Sequence, residues 1–196
     1  MISSSSPPLE RGLDTMVLVY SLLQGHPAAL PSEQFLRAHS GWFTTPAVLF
    51  EARNILTKVY SVLPADATRK LTLFAAGPIV LLDFDPAATV SVLQLADIHA
   101  IDLTDAVLLH LAHQQGAGSL ATEDRQLARA CGQFGITAET PLDAALRQQV
   151  AAWEAAHLAP KGLARVLRRV YHWLQPTHPQ AAQDFWTQTS GGSHLP

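Results

Sequence analysis

Apolar positions along this chain follow two alternating rhythms. Short β-branched or leucine-rich runs give way to longer stretches of helical period, and most changes of rhythm fall at a turn or capping residue. Gly12-Leu13-Asp14 ends a short strand, and "TMVLVYSLL" continues as an apolar helix that Gly25 and Pro27 stop. "PSEQFLRAHSG" reads as a second helix, opened by Pro31 and Ser32 and closed by Gly41, and "WFTT" as a second strand. Thr45 and Pro46 then supply the cap and first position of a helix reaching about Val62. A helix from about Asp66 to Ala76 precedes "PIVLLDFDP", whose apolar run predicts a buried strand. Asp85, as a cap, and Pro86 open "AATVSVLQLADIHA". "TDAVLLHLAHQQGAG" predicts a helix with Asp105 in its first turn and Gly116 as its stop. "SLAT", "EDRQLARACGQFG" and "ITAET" complete the pattern as strand, helix and strand.

Strands that alternate with helices through short loops predict an α/β three-layer sandwich, a central parallel sheet of about five strands with helices on both faces. The expected organisation is a lead-in over 1–11, a globular unit over 12–150, and a C-terminal helical extension with a frayed tail over 151–196, where Pro160, Pro176 and Pro179 interrupt the chain. Within the extension, "KGLARVLRRVYHWL" predicts an amphipathic helix. Leu163, Val166, Leu167, Val170 and Leu174 form its apolar stripe, while Arg165, Arg168, Arg169 and His172 lie off it as a basic surface able to meet RNA phosphates.

The chain has 196 residues, of which 48% are hydrophobic and 15% charged, a balance that excludes extended disorder. No apolar run approaches the ~20 residues of a membrane span, and "MISSSSPPLERG" lacks the form of a secretory signal, so a cytoplasmic protein is expected. The single cysteine, Cys131, cannot form an internal disulfide and reads as a small buried apolar residue. Net charge is −3, and the acids gather in the first 150 residues, whereas Lys161, Arg165, Arg168 and Arg169 outnumber Glu154 and Asp184 in the remainder. That surplus of acid asks for a local cause.

In open parallel sheets, ligands bind outside the carboxyl ends of the strands. Asp14 closes the first strand, Asp105 opens the helix before "SLAT", and Asp124 follows that strand. Singly, an acid at a helix N-terminus gains ~0.3–1 kcal/mol from the dipole and needs no other reason. Glu51 lies in a helix among Leu49, Phe50 and Ile55, an expensive setting for an unpartnered carboxylate. Together such groups oppose each other, by ~4 kcal/mol per pair at ~4 Å and an effective dielectric near 20. A divalent cation reverses that sign, and Mg²⁺ is held by one or two carboxylates beside substrate phosphates, so the pattern points to phosphoryl chemistry. Asp102 either joins this pocket or caps the helix. His110 and His113, an i,i+3 pair with no third ligand at recognisable spacing, read as ordinary helix residues.

"LDTMVLVYSLL", "PAVLFEARNIL" and "DLTDAVLLHLAHQQGAGSLATEDRQLARACGQFGI", in that order, resemble the PIN domain, in particular the single-domain ribonucleases of the VapC toxin type, over about residues 12–140. The family's four acidic positions match Asp14, Glu51, Asp105 and Asp124, and Thr122 supplies the hydroxyl of its T-x-D element. The departure is "PPLERGL", where family members carry a longer apolar strand. The resemblance implies a metal-dependent endoribonuclease. Asp14, Glu51, Asp105 and Asp124 would hold Mg²⁺ or Mn²⁺, Asp14 and Asp105 directly and Glu51 through water, with Thr122 orienting Asp124 or touching phosphate and Asp102 behind them. It also implies an RNA substrate, an antitoxin partner and a homodimer.

Three readings compete. A phosphorelay receiver needs a lysine after its final strand, and Lys58, Lys70 and Lys161 are all misplaced for it. "DFDP" has the Asp-x-Asp of haloacid-dehalogenase-type phosphatases, but it does not close the first strand and Pro86-Ala87 follows it. A PIN-like module that binds RNA or protein without cutting is the third, and it usually shows as a missing acid. All four are present here.

Overall fold

The structure, a computed structural model, describes residues 9–158 and 165–190. Five strands, β1 (Arg11–Leu13), β2 (Trp42–Thr44), β3 (Val80–Leu81), β4 (Ser119–Ala121) and β5 (Thr137–Glu139), form one all-parallel sheet in the order β3-β2-β1-β4-β5. It is flanked by α1 (Thr15–Leu22), α2 (Ala29–Ala38), α3 (Pro46–Lys58), α4 (Pro64–Ala75), α5 (Thr89–His99), α6 (Leu103–Gln115), α7 (Arg125–Gln133) and α8 (Ala144–His157). The α/β sandwich expected from the alternation is what forms.

The strand order positions the site. The chain steps outward from β1 to β2 to β3, then returns to lay β4 on the other side of β1 and continues outward to β5. The carboxyl ends of β1 and β4 therefore flank the point where the winding reverses, the place where such sheets leave a crevice. Parallel pairing across β1 is tight at Gly12, which stands opposite both Phe43 and Leu120. A Cβ there would lie 3.2 Å from Leu120 Cγ and 3.4 Å from Phe43 Cζ. Beneath the crevice, α6 is apolar nearly all round, with Ala106, Val107, Leu108, Leu109, Leu111 and Ala112 buried. Leu13, Leu18, Leu56, Leu120 and Leu127 complete a fully buried core from β1, α1, α3, β4 and α7.

Several boundaries differ from the pattern, each for a physical reason. "PIVLLDFDP" yields only a two-residue edge strand, with Val80 and Leu81 exposed at 42% and 38%. β3 has a neighbour on one side alone, so its apolar run is buried only through Ile79 and the partly buried Leu82 and Phe84. α2 begins at Ala29, before Pro31, and α3 ends at Lys58, after which Ser61 turns the chain with φ 56°. Thr45 is buried and makes no capping hydrogen bond, leaving Pro46 to start α3. Gly116 closes α6 in the left-handed conformation, φ 64°, and its N–H donates to the carbonyls of Ala112 and His113. Asp85 caps the 3₁₀ turn Pro86–Ala88 by accepting from Ala87 N–H. Cys131 is buried in α7, and burial pushes its thiol up to about 12.

α8 runs through position 150, where the composition changes, because Val150 packs with Leu142 against Tyr20 and Ala28. Beyond it lie α9 (Arg165–Leu174) and α10 (Pro179–Ser190). Leu167, Tyr171 and Leu174 of α9 pack with Ala182, Phe185 and Trp186 of α10, so α10 covers part of the expected stripe while Val170 stays exposed. Residues 1–8 of the lead-in, Lys161 to Ala164, the frayed tail from 191, and the side chains of Val166, Arg165, Arg168, Arg169 and His172 lie outside the described residues. Among the described residues no helix is long and apolar enough to cross a membrane.

The close approach at Gly12 sets an expected outcome. Gly12→Ala should destabilise the protein by about 1–3 kcal/mol through overpacking against Leu120 and Phe43, read as a lower urea midpoint at unchanged slope. An unchanged midpoint would mean that the sheet centre yields freely.

Candidate functional site

Asp14 is the first residue beyond β1 and the N-cap of α1. Its N–H donates to the Ala121 carbonyl at 3.0 Å, carrying the β1–β4 pairing one step past the strand. Its carboxyl accepts from Thr15 N–H through Oδ1 and from the Thr122 hydroxyl through Oδ2, at 2.7 Å. Thr122 Oγ in turn accepts from Asp124 N–H at 2.9 Å, so one hydroxyl ties the ends of β1 and β4 together. Asp124 caps α7, its Oδ1 accepting from the N–H groups of Gln126 and Leu127 at 2.6 and 2.9 Å. The Thr15 hydroxyl donates to Glu51 Oε2 at 2.7 Å and brings α3 to the same edge.

Asp105 stands in the first turn of α6, buried at 8% exposure. Its N–H is capped by Asp102 Oδ1 at 3.0 Å, which settles Asp102 as the exposed N-cap of α6. No described residue hydrogen-bonds the Asp105 carboxyl itself.

The acids act on one another. Burial, the largest influence, raises the Asp14 carboxyl to about 7. The bonds from Thr122 and Thr15 pull it down, and Glu51 and Asp124 push it further up. Burial likewise raises Asp105 to about 8, reinforced by the charges of Asp14, Asp102, Asp124 and Glu51. Asp14, Glu51, Asp105 and Asp124 thus share one electrostatic neighbourhood at the switch-point crevice, with Thr122 among them.

The donor set suits a hard cation, since every candidate ligand is an oxygen. Among the described residues, however, no three His, Cys, Asp or Glu side chains are gathered tightly enough to hold a metal ion. The local hydrogen bonds account for this: Asp124 is turned onto the α7 N-terminus, Glu51 is held by Thr15, and both oxygens of Asp14 already accept. An ion held here would be held as Mg²⁺ commonly is, by one or two carboxylates with its remaining positions filled by water. Asp14 and Asp105, the two buried members, fit that role.

Other candidates stand apart. His110 is half-buried on α6 with Nε2 unpartnered among the described residues, and His113 packs edge-on against Phe134. The apolar surroundings expected for Glu51 are only partly present, because Phe50 is 70% exposed. Thr15 is the contributor that pattern reading passes over. Its signal is a hydroxyl directly after the acid at a helix start, visible as "DT" but open to many uses.

Comparison with known proteins follows the same segment. The family model described as PIN domain matches residues 13–133. No curated protein matches this chain. Among solved structures, the crystal structure of PAE2754 from Pyrobaculum aerophilum matches with a TM-score of 0.51 and 20% sequence identity, over 73% of this chain and 98% of that one, a likeness of fold.

The raised carboxyls set the sign of the pH dependence. Unfolded, both would titrate near 3.8, whereas folded they keep their protons to about 7 and 8. Between those limits the folded state binds more protons than the unfolded one, so their contribution to stability falls as pH rises from about 4 and levels off above about 8. In chelator, the melting temperature should fall across that window, and Asp105→Asn should fall less. A wild type and variant with parallel profiles would contradict the buried-carboxyl account.

Proposed function

The chain belongs to the PIN domain family, in general a family of metal-dependent nucleases, and on that premise we propose that it is an endoribonuclease hydrolysing RNA phosphodiester bonds with Mg²⁺ or Mn²⁺. The observation that carries this reading is the pair of buried carboxyls, Asp14 and Asp105, raised by burial and by the acids around them where the winding of the sheet reverses. Nothing in packing rewards such a pair, and a divalent cation does. Asp14 and Asp105 would hold the ion directly, with Glu51 and Asp124 completing the set. When bound, such an ion lowers the pKa of a water and stabilises charge on the scissile phosphate.

The chain's own residues prepare that chemistry. Thr122 fixes the rotamer of Asp14, and Thr15 holds Glu51 from across the α1–α3 contact. Asp105 has no such anchor, so its carboxyl is free to exchange its proton for a cation as the pH approaches 8. The N-termini of α1, α6 and α7 are each capped by an aspartate, Asp14, Asp102 and Asp124, whose carboxyl accepts from first-turn N–H groups.

A toxin role, with an antitoxin filling the acidic groove and a homodimer as the working form, belongs to this proposal through the resemblance to VapC-type ribonucleases. The second reading, a PIN-like module that binds RNA or protein without cutting, draws on the absence of a gathered three-ligand cluster among the described residues. The full complement of acids weighs against it.

Two measurements decide. Asp14→Asn or Asp105→Asn should abolish cleavage of structured RNA by purified protein in Mg²⁺ or Mn²⁺ while the protein stays folded, and sequencing of the RNA ends should locate the cut. A variant cutting at the wild-type rate would remove the acids from the chemistry. Metal should also raise the melting temperature, since a ligand at a hundredfold its Kd stabilises the folded state by about 2.7 kcal/mol. The shift should shrink in Asp105→Asn; equal shifts would put the metal elsewhere.

A further inference from the structure

Beside the acids, between the first turn of α7, the end of β5 and α8, lies a pocket of about 150 Å³ lined by three acids, Glu123, Asp124 and Glu139, two arginines, Arg125 and Arg147, and Ala128, among others. We propose, resting on the nuclease reading, that this pocket seats a phosphate of the bound RNA next to the one being cut, and that Arg147 is the residue that holds it.

Arg147 is placed for that task by contacts at both ends of its helix. Its Nε donates to Glu123 Oε2 at 3.1 Å and its Nη2 to Thr140 Oγ at 3.2 Å, while the Thr140 hydroxyl also donates to Glu123. Two of five guanidinium N–H groups are thereby used, and the remaining fork can face two oxygens of a phosphate. Two helical turns further along the same face, Glu154 Oε1 accepts from the Tyr60 hydroxyl at 2.5 Å and lies 3.7 Å from His26 Nε2. Between these points Val150 is buried against Tyr20 and Ala28. A helix pinned in this way cannot swing Arg147 out of the pocket without breaking the far contacts.

Side chains must do the recognising here. The N–H groups of Gln126 and Leu127, which a helix N-terminus would otherwise offer an anion, already bond Asp124. Glu139 is likewise engaged, by Arg11. Exposed Arg125, next to Asp124 in sequence, and half-exposed Arg147, paired with Glu123 through Nε, are the cations at the wall. α8 lies outside the segment, residues 13–133, that matches the family model.

The bland alternative is that Arg147 and Glu123 only dock α8, and the two are separable. Binding of a labelled mixed-sequence single-stranded oligoribonucleotide is measured across a salt series with full-length protein on the Asp105→Asn background. Arg147→Gln should weaken binding roughly tenfold, about the loss of one charge-assisted hydrogen bond, and reduce the log–log salt slope by about 0.7, one phosphate. In cleavage assays with the natural acids, the effect should fall on KM rather than kcat. Arg147→Lys should keep the slope. Glu123→Gln breaks the ion pair but leaves the guanidinium, so the slope should persist; a docking role would make it fail alongside Arg147→Gln. Ala128→Leu narrows the pocket without touching a charge and should also lower the slope, which keeps the test open if Arg147→Gln does not fold. A protein that cleaves RNA but whose slope is unchanged by Arg147→Gln and Ala128→Leu overturns the phosphate seat and leaves the nuclease reading standing. A wild type that neither binds nor cleaves overturns both.

Discussion

The Thr122 hydroxyl donates to Asp14 Oδ2 and accepts from Asp124 N–H, and through these two bonds the ends of β1 and β4 are fixed at the one place where the sheet reverses its winding. The backbone makes the same link, Asp14 N–H to the Ala121 carbonyl. Without that pinning, three-residue strands would leave their last side chains free to fray toward solvent. With it, Asp14 is held almost fully buried, at 4% exposure, and each helix that starts at this edge inherits a defined position. Glu51 follows through Thr15, and Asp124 through its own capping bonds.

This order has an electrostatic consequence. A carboxyl buried beside other carboxyls can lower its cost by keeping its proton or by taking a cation. Asp14 and Asp105 do the first, to about 7 and 8. The fold thereby stays closed around the pair near neutrality, while the exposed or half-exposed side chains of Asp124 and Glu51 accept hydrogen bonds from the α7 N–H groups and from Thr15. The two groups whose burial outweighs any hydrogen bonds they accept are the two for which a metal would make the largest difference. The stability of the metal-free protein and the affinity proposed for a cation would therefore be opposite faces of one burial.

Much of this was legible in the chain. Asp14, Asp105 and Asp124 announce themselves because strand ends and helix starts are local features, set by a change of period and a capping residue. Thr122 was visible for the same reason. What the chain hides is the number of neighbours an element will have: Val80 and Leu81 carry the β-branched and leucine signal of a buried strand, yet stand at the sheet edge. Phe50 misleads in the same way, since hydrophobicity does not say which side of α3 meets the core. Thr15 to Glu51 and Glu123 to Arg147 join residues 36 and 24 positions apart, and no period or spacing encodes which partner each will find.

A net charge of −3 looks ill suited to a polyanion, but the formal count overstates the negative field at the crevice. Around pH 7, with no cation present, Asp105 is largely protonated and Asp14 carries only part of its charge, and Glu123 and Glu139 at the neighbouring edge are each matched by an arginine. What remains there is Asp124, bonded to helix N–H groups that disperse its charge, and Glu51, bonded to Thr15. Screening removes most of the influence of acids more than ~8–10 Å away at physiological salt. A phosphate approaching this edge therefore meets a nearly balanced local field, in which one metal ion is enough to change the sign.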